Sequence, residues 1–447
     1  MSIGSHQFLI LLLQLAVLLS VALCLGRLAM RFGLPAVVGE LLTGVLLGPS
    51  ILGNLNGYGW LWPGDVTQWQ LLDAITQLGV LLFVAVSGAH LELRTLRRRG
   101  RTVAVAGSIA LVLPLLIGMA TGYLLPGEAL GPAGGRPAFA LLMGVVMAVS
   151  AIPVIAKTFI DLKMLHRDIG QLTLVTAAGH DVVAWLLLSV VSVMTLTGFD
   201  GARVLANLGH LAVFLLAVTV VVRPAAIFAL RRSAAGEGSG ATITVSVVLI
   251  VGCAAASHAL GFEAVLGAFV AGILLNTPGR AVTAKLAPLR TFVLAVFAPL
   301  FLSTAGLKMD LLALRDPGTL LIAALVLGLA VVGKLAGAYI GGRAGGLTHW
   351  EGLALGAGLN ARGAVEIVVA TIGLRLGVLS PAMYTIVVLV AVFTSLMAPP
   401  MLRWTMSRIE QCTDERLRER ELAVWSDEQP PTHRARSGPA HRSDVET

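Results

Sequence analysis

The sequence predicts an all-α, polytopic membrane protein, and three observations carry that prediction. Hydrophobic residues make up 57% of the chain and charged residues only 13%, about half the share of a typical soluble protein. The mean hydropathy is +0.88. Apolar runs long enough to cross a bilayer as helices follow one another along most of the chain. The formal charge of +8 does not indicate nucleic-acid binding, because no basic patch interleaved with aromatic residues accompanies it.

Hydropathy predicts about thirteen membrane-spanning helices. Glycine is frequent, with 50 residues, which suits close contact between helices in lipid. The predicted spans lie at about 8–24, 31–52, 71–90, 102–125, 137–158, 170–197, 204–230, 241–260, 262–276, 292–314, 318–342, 350–376 and 380–402.

The distribution of Lys and Arg predicts the orientation of these spans. With the N-terminus outside, sixteen such residues fall in loops on the inner side, whereas the outer loops hold only Arg136, Arg203, Arg315 and Arg375. Positive residues concentrate in the cytoplasmic loops of membrane proteins. We therefore expect the N-terminus outside, the C-terminus in the cytoplasm and a location in the inner or plasma membrane.

The two ends of the chain are expected to differ in structure. The first apolar segment follows MSIGSHQ, which lacks Lys and Arg, and predicts a retained first helix rather than a cleaved signal peptide. Residues 404–447 are polar and include QPPTHRARSGPAHRSD, which predicts a disordered cytoplasmic tail behind a membrane domain at 1–403. The isolated cysteines indicate neither a disulfide framework nor a metal cluster; they are Cys24, Cys253 and Cys412.

An internal repeat relates the two halves of the membrane part. VGELLTGVLL at 38–47 is similar to LGAFVAGILL at 266–275, so that Gly39 matches Gly267 and Gly44 matches Gly272. SGAHLEL at 87–93 is likewise similar to AGLKMDL at 305–311. The second copy begins seven helices after the first, and this odd offset inverts its topology. Inverted repeats are typical of secondary transporters that work by alternating access.

Two spans in matching positions of the repeats carry residues that interrupt helices. VSAIPVIA at 149–156 places Pro153 within span five, where it removes a main-chain hydrogen bond. GAGLNARGAVE at 356–366 places Asn360 and Gly363 within span twelve. Broken helices aim helix ends and free carbonyls at a site near the membrane midplane.

Asp181 lies deep in an apolar span. It stands about eleven residues into span six, which at 1.5 Å per residue puts it about 16 Å deep, near the midplane. Ionisable groups at such depth are costly and are functional candidates by default. A carboxylate can hold either a proton or a hard monovalent cation, and this competition would couple their movements in opposite directions. The alternative is an Asp fixed in a structural ion pair.

Other ionisable residues of the spans are expected to be mainly structural. Lys334, Asp310 and Glu351 are predicted near span ends, where a charge costs little. Arg362 and Glu366 are four residues apart on one helix and can pair locally.

Six stretches resemble the monovalent cation:proton antiporter superfamily, in the branch of plant cation/proton exchangers, bacterial sodium/proton antiporters and potassium efflux systems. They cover nearly the whole membrane part, in order: GLPAVVGELLTGVLLGPSILG (33–53), LGVLLFVAVSGAHLEL (78–93), DVVAWLLLS (181–189), LGAFVAGILL (266–275), PLFLSTAGLKMDL (299–311) and GLNARGAVEIVVATIGL (358–374).

The resemblance implies a mobile core domain, with spans five, six and twelve, that moves like an elevator against a dimerisation domain in a homodimer. It implies exchange of Na⁺ or K⁺ for protons, without any further cofactor. Asp181 would be the shared carboxylate and ligand of the transported cation, Ser150 a further ligand, and Lys308 of the GLK motif the charge partner of Asp181. Support for the crossing of the broken helices would come from Asn360, Arg362 and Glu366.

His180 departs from the family pattern, which has Asn-Asp or Asp-Asp at this place. In relatives two acids accompany electrogenic exchange and Asn-Asp accompanies electroneutral exchange, so His180-Asp181 leaves the stoichiometry open. A neutral imidazole would accept hydrogen bonds or contact the cation through nitrogen. A histidine that titrates near neutral pH would instead act as a pH gate. The simplest alternative is that His180 only orients a neighbouring side chain.

Three other functions compete with antiport. A symporter or flux sensor of the related bile-acid transporter fold would lack the GLKMDL and LNARGAVE stretches. A channel would need a filter loop, which the sequence does not show. An intramembrane enzyme would have to use His180, Asp181 and Ser150, but G-x-S-x-G, H-E-x-x-H and Walker A motifs are absent from the sequence. We therefore expect a transporter, not an enzyme.

Overall fold

The structure, a computed structural model, is helical throughout the part of the chain that it describes. It describes residues 5–34, 36–48, 51–52, 66–89, 100–133, 135–162, 164, 166–197, 201–236, 238–276, 280–412 and 415. Within these ranges the extended pairing is limited to one isolated antiparallel bridge, between Leu130 and Leu379. The prediction of an all-α protein is confirmed.

Eighteen α-helices lie in the described ranges. They are α1 Ser5–Arg31, α2 Ala36–Leu47, α3 Val66–Ala89, α4 Gly100–Leu124, α5 Arg136–Ala148, α6 Ile152–Asp161, α7 Asp168–Thr197, α8 Gly201–Ala217, α9 Arg223–Ala234, α10 Gly240–Ala259, α11 Ala264–Asn276, α12 Arg280–Lys285, α13 Ala287–Phe292, α14 Ala298–Leu307, α15 Pro317–Ala344, α16 His349–Leu359, α17 Ala364–Arg375 and α18 Pro381–Met406.

Two π-helical segments, Val218–Val222 and Val293–Phe297, join α8 to α9 and α13 to α14. Each stands directly before a helix that has proline in its first turn, Pro224 in α9 and Pro299 in α14. Proline has no N–H to donate, so the hydrogen-bond ladder widens before it and the helix continues.

Nine continuous helical stretches of the described chain are long and apolar enough to cross a membrane, or ten when the bent pair α16 and α17 counts as one span. Two of the nine are the joined pairs α8 with α9 and α13 with α14. Three shorter apolar helices, α2, α5 and α11, accompany them. Each predicted span coincides with one helix or with a consecutive pair, such as α8 and α9 for 204–230. The polytopic architecture is confirmed, and the number of thirteen spans stays a prediction.

The long helices pack as two bundles. The core bundle consists of α4 to α7 and α15 to α18, and the scaffold bundle consists of α1 to α3, α10, α11 and α14. The segment from α8 to α9 connects them, because α8 packs on α7 of the core bundle and α9 packs on α10 and α11 of the scaffold bundle.

The internal repeat of the sequence is visible in the helix contacts of the scaffold bundle. A Cβ on Gly44 of α2 would lie 1.8 Å from the carbonyl oxygen of Ser303 in α14. A Cβ on Gly272 of α11 would lie 2.1 Å from the carbonyl oxygen of Ala85 in α3. Helix contacts this close require glycine. The equivalent glycines therefore make equivalent contacts. In the first repeat α2 packs against α14 of the second, and in the second repeat α11 packs against α3 of the first.

The segment after α18 packs against the start of α7. α18 runs to Met406, so the boundary expected at 403 falls inside this helix. Arg167 donates to the Ile409 carbonyl at 2.8 Å and pairs with Glu415 Oε2 at 3.0 Å, with both charged side chains buried. Glu415 Oε1 accepts from the Asp168 N–H at 2.7 Å. We call these three side-chain and main-chain contacts the tail clasp; residues 416–447 of the predicted tail lie outside the described ranges.

Candidate functional site

Two broken helices cross inside the core bundle. Residues 149–151 separate α5 from α6, and residues 360–363 separate α16 from α17, which are bent by 48°. The two breaks touch, because the Ala151 N–H donates to the Ala361 carbonyl at 3.2 Å. The interruptions predicted from Pro153 and from the Asn360 region are confirmed as breaks in the helices.

Gly363 makes the second break possible. Its φ of 154° lies in the region that side-chain-bearing residues rarely adopt. A Cβ there would also lie 2.7 Å from Cγ2 of Val154 in α6. The sequence therefore needs glycine at this position for the backbone to turn and for the two broken helices to approach each other.

Two cationic side chains cap the carbonyl end of α5. Arg362 donates from Nη1 to the Val146 carbonyl and from Nη2 to the Met147 carbonyl, each at 2.7 Å. Lys334 of α15 donates to the next carbonyl, that of Ala148. The last carbonyls of a helix have no main-chain partner and carry the negative end of the helix dipole. Arg362 and Lys334 supply both the donors and the positive charge, and both side chains are fully buried.

Asp181 lies next to this crossing with its carboxylate unsatisfied. It stands on α7, thirteen residues after the first residue of the helix, and is fully buried. Neither carboxylate oxygen has a hydrogen-bond partner within the described residues, whereas Lys334 interacts with it electrostatically. Buried polar atoms are normally paired, and an unpaired carboxylate in a native site calls for a ligand or a functional role. Both oxygens are free to bind a proton or a cation.

His180 holds Lys334 from the other side. Its Nδ1 is 3.3 Å from Lys334 Nζ, and its Nε2 is 2.9 Å from the Gly107 carbonyl oxygen in α4. A carbonyl only accepts and an ammonium only donates, so these contacts assign a neutral imidazole with its proton on Nε2. This arrangement favours the orienting role for His180 over the pH gate.

Two further predicted site residues lie at the crossing, both buried. The Ser150 hydroxyl donates to the Leu359 carbonyl at 2.7 Å and so joins the two breaks. The hydroxyl oxygen keeps lone pairs that can accept a hydrogen bond or coordinate a cation. Both amide atoms of Asn360 lack a partner among the described residues. Their assignments as cation ligand and as crossing support stay predictions.

The structure corrects the identity of the lysine beside Asp181. Lys308 was expected there, but it ends α14 of the scaffold bundle and donates to Asp73 Oδ1 of α3 at 2.7 Å, with both side chains partly exposed. Lys334, expected near a span end, is fully buried instead. The signal for Lys334 was in the sequence, because eight apolar or small residues separate it from the nearer end of its predicted span at 342.

Arg362 and Glu366 form the local pair that their spacing predicts. Arg362 Nη1 is 3.2 Å from Glu366 Oε1, and both side chains are fully buried. Arg362 also donates to the Ala330 carbonyl of α15 at 3.1 Å. The pair therefore ties α17, α5 and α15 together behind the crossing.

A family model described as sodium/hydrogen exchanger, transmembrane, matches residues 16–408 of the chain. The chain belongs to the sodium/hydrogen exchanger family. As a member it is a multi-pass membrane protein, in agreement with its apolar helices.

Individual relatives agree with this family. The chain is 30% identical over 416 residues to cation/H⁺ antiporter 20 of Arabidopsis thaliana, covering 89% of this chain and 48% of the relative. It is 27% identical over 398 residues to the Na⁺/H⁺ antiporter NhaS4 of Synechocystis sp., covering 89% and 97%. The chain thus spans about half the length of the plant relative and nearly all of the bacterial one.

A solved structure has the same fold. The sodium/proton antiporter MjNhaP1 of Methanocaldococcus jannaschii superposes with a TM-score of 0.61 and 14% identity, covering 90% of this chain and 97% of that one. At this identity the match shows that the exchanger fold is shared.

Proposed function

We propose that this protein exchanges a monovalent cation, Na⁺ or K⁺, for protons across the membrane by alternating access. One observation carries the proposal: Asp181 is a fully buried carboxylate with two unpartnered oxygens, next to the crossing of two broken helices. Hard monovalent cations prefer oxygen ligands, and protonation would remove the charge that attracts them. A proton and a cation would therefore compete for Asp181.

The charges around Asp181 support coupling of the two ions. Asp181 and Lys334 are opposite charges, and Arg362 and Glu366 form a second balanced pair beside them. A cation that enters this balanced group adds one positive charge in a medium where an uncompensated charge is costly. Release of the Lys334 proton restores the balance. Where Lys334 is neutral and Asp181 protonated, release of the Asp181 proton does the same, so cation entry and proton exit are linked.

The arrangement of helices supports the elevator movement. Asp181, Lys334 and the two breaks all belong to the core bundle, so the site would move as one body past the scaffold bundle. The scaffold bundle exposes large apolar side chains along α1, including Phe8, Leu9 and Leu12, which suits contact with lipid or with a second copy in a homodimer. We propose the inner or plasma membrane as the location, with the N-terminus outside, from the Lys and Arg distribution.

The names of relatives support both cations. NhaS4 is named a Na⁺/H⁺ antiporter, and GerN of Bacillus cereus, 25% identical over 396 residues, is named a Na⁺/H⁺-K⁺ antiporter. Antiporters of this kind are transporters rather than enzymes, and we propose that this protein uses no cofactor. We therefore propose Na⁺ and K⁺ as the cations to test first.

Cation-induced proton movement in inside-out vesicles tests the proposal. We expect Na⁺ or K⁺ to drive proton movement with the wild type, and Asp181→Asn to reduce it to the level of empty vesicles, because an amide exchanges no proton. Asp73→Asn is the matched control, since Asp73 is a partly exposed carboxylate that pairs with Lys308 away from the site. Retained exchange in a correctly inserted Asp181→Asn variant would rule out Asp181 as the carrier.

The same assay separates the alternative. A symporter or flux sensor of the bile-acid transporter fold would give no proton movement with Na⁺, K⁺, Rb⁺ or Li⁺ at any pH from about 6 to 9. That result with the inserted wild type would reject antiport itself.

A further inference from the structure

Glu263 connects the scaffold bundle to two helices of the core bundle. It stands directly before α11, and its main-chain carbonyl accepts from the Ser257 hydroxyl of α10 at 2.9 Å, which fixes it to the scaffold. Its Oε1 accepts from the Ser192 hydroxyl of α7 at 3.1 Å. Its Oε2 pairs with Nη2 of Arg375 at the end of α17 at 3.1 Å. A scaffold residue thus has both carboxylate oxygens satisfied by the core.

The two partners belong to the helices that form the site. α7 carries His180 and Asp181, and α17 begins at the crossing of the breaks. Ser192 lies eleven residues beyond Asp181, which on a helix is about 16 Å. Glu263 therefore acts on the site-bearing helices from a distance and does not touch the ion.

We propose that Glu263 is a latch that holds the core bundle against the scaffold bundle in this conformation, at the end of the molecule predicted to face outside. The proposal rests on the proposed alternating access. Movement of the core bundle along the scaffold bundle must separate Glu263 from Ser192 and Arg375. The separation leaves a carboxylate that is only 8% exposed without partners, which is unfavourable. The latch therefore biases the protein toward the conformation seen here.

Two further contacts between the bundles at this end, among the described residues, are neutral hydrogen bonds. The Tyr384 hydroxyl of α18 donates to the Ala305 carbonyl of α14 at 2.8 Å. The Asp310 N–H, after α14, donates to the Thr385 hydroxyl of α18 at 3.0 Å. Hydrogen bonds of this kind exchange for others at lower cost than a charged pair. Glu263 and Arg375 are accordingly the contact to remove in a test.

Distances between spin labels on the two bundles test the latch without requiring transport. Labels replace Leu260, which follows α10, and Leu124, which ends α4, because both side chains are exposed and lie at the latch end. The background lacks Cys24, Cys253 and Cys412. Glu263→Gln keeps the hydrogen bond to Ser192 and removes the charge that Arg375 needs. In Glu263→Gln we expect a second population of label distances. The ratio of the second population to the first should be about ten times that of the unsubstituted background. We expect the same increase for Arg375→Gln.

A second ion pair at the same end provides the control. Lys308 and Asp73 join α14 to α3, both in the scaffold bundle, so Asp73→Asn should leave the distance distribution unchanged. The latch is refuted if folded Glu263→Gln gives the distribution of the unsubstituted background, or if Asp73→Asn changes it equally. The outcome is separate from that of the exchange assay, because loss of exchange in Asp181→Asn concerns the carrier and leaves the label distances interpretable.

Discussion

At the scale of the residue, Lys334 has two tasks that Lys308 does not share. It balances Asp181, and it caps the carbonyl end of α5 through Ala148 while Nδ1 of His180 accepts a hydrogen bond from it. Lysine presents three donors on one compact charge, and its three acceptors here come from different helices: the Ala148 carbonyl of α5, Nδ1 of His180 in α7 and, at 3.5 Å, the Ala110 carbonyl of α4. The side chain is therefore a structural cap and a charge partner at once.

Substitution of Lys334 should destabilise the protein through Asp181. We expect Lys334→Met to lower the free energy of unfolding by about 3–5 kcal/mol, because it leaves a buried carboxylate without its partner. Thermal unfolding in detergent measures this loss as a lower Tm. The double variant Lys334→Met with Asp181→Asn should be more stable than Lys334→Met alone, since the stranded charge is gone. Equal Tm values for the single and double variants would contradict the pairing.

His180 variants distinguish an orienting side chain from a pH gate. His180→Asn keeps an acceptor for Lys334, so we expect retained exchange with an unchanged dependence of the rate on pH. His180→Leu removes both hydrogen bonds and should cost about 1–3 kcal/mol of stability. Exchange rates of both variants in vesicles, measured from pH 6 to 9, check this expectation. A pH profile that moves in His180→Asn would establish the gate instead.

Sequence reasoning located this site but not all of its partners. Asp181 was predictable because a carboxylate deep in an apolar run has few structural explanations. Lys334 was judged from its distance to a span end, and such boundaries are uncertain by several residues. Lys308 was misassigned because a motif gives position in the chain, whereas its contact with Asp73 depends on how α14 packs against α3.

At the scale of the element, the two breaks followed from the sequence and their contact did not. Pro153 and the glycines on either side of Asn360 indicate where a helix stops. The hydrogen bond from Ala151 to Ala361 depends on the relative placement of α5 and α16, which no local pattern specifies. The repeat in the sequence was the one indication that the breaks lie in equivalent places.

Gly363 provides the test of the second break. We expect Gly363→Ala to lower the free energy of unfolding by about 1–3 kcal/mol, because alanine is strained at φ 154° and its Cβ meets Val154. Gly328→Ala in α15 is the matched control, since nothing lies within 4 Å of a Cβ there and alanine favours the helix. Thermal unfolding of both variants measures the difference. A Gly363→Ala variant as stable as Gly328→Ala would show that the break tolerates a side chain.

At the scale of the whole molecule, the tail clasp connects the end of the membrane part to the helix that carries Asp181. Glu415 forms a buried ion pair with Arg167, and it also accepts a hydrogen bond from the first N–H of α7. The polar composition after residue 403 predicted a separate tail. The clasp could not be predicted from it, because the sequence of a polar segment does not show which of its charged residues is buried.

Two truncations measure the contribution of the clasp. A chain that ends at Arg408 lacks Glu415 and leaves buried Arg167 without its carboxylate, so we expect a loss of about 3 kcal/mol or more in stability. A chain that ends at Arg420 retains the clasp and serves as the control. Thermal unfolding in detergent compares the two. Equal Tm values would show that the clasp adds nothing to the stability of α7.

The interlocked repeats of the scaffold bundle have a consequence for biosynthesis. Gly44 and Ala85 belong to the first repeat, and their close partners, Ser303 and Gly272, belong to the second. When α2 and α3 leave the ribosome, α14 and α11, which these faces of Gly44 and Ala85 contact, have not been synthesised. The Gly44 face of α2 and the Ala85 face of α3 therefore stay uncovered in the bilayer until the second half is inserted. We therefore expect newly made first halves to depend on membrane chaperones until the second half is inserted.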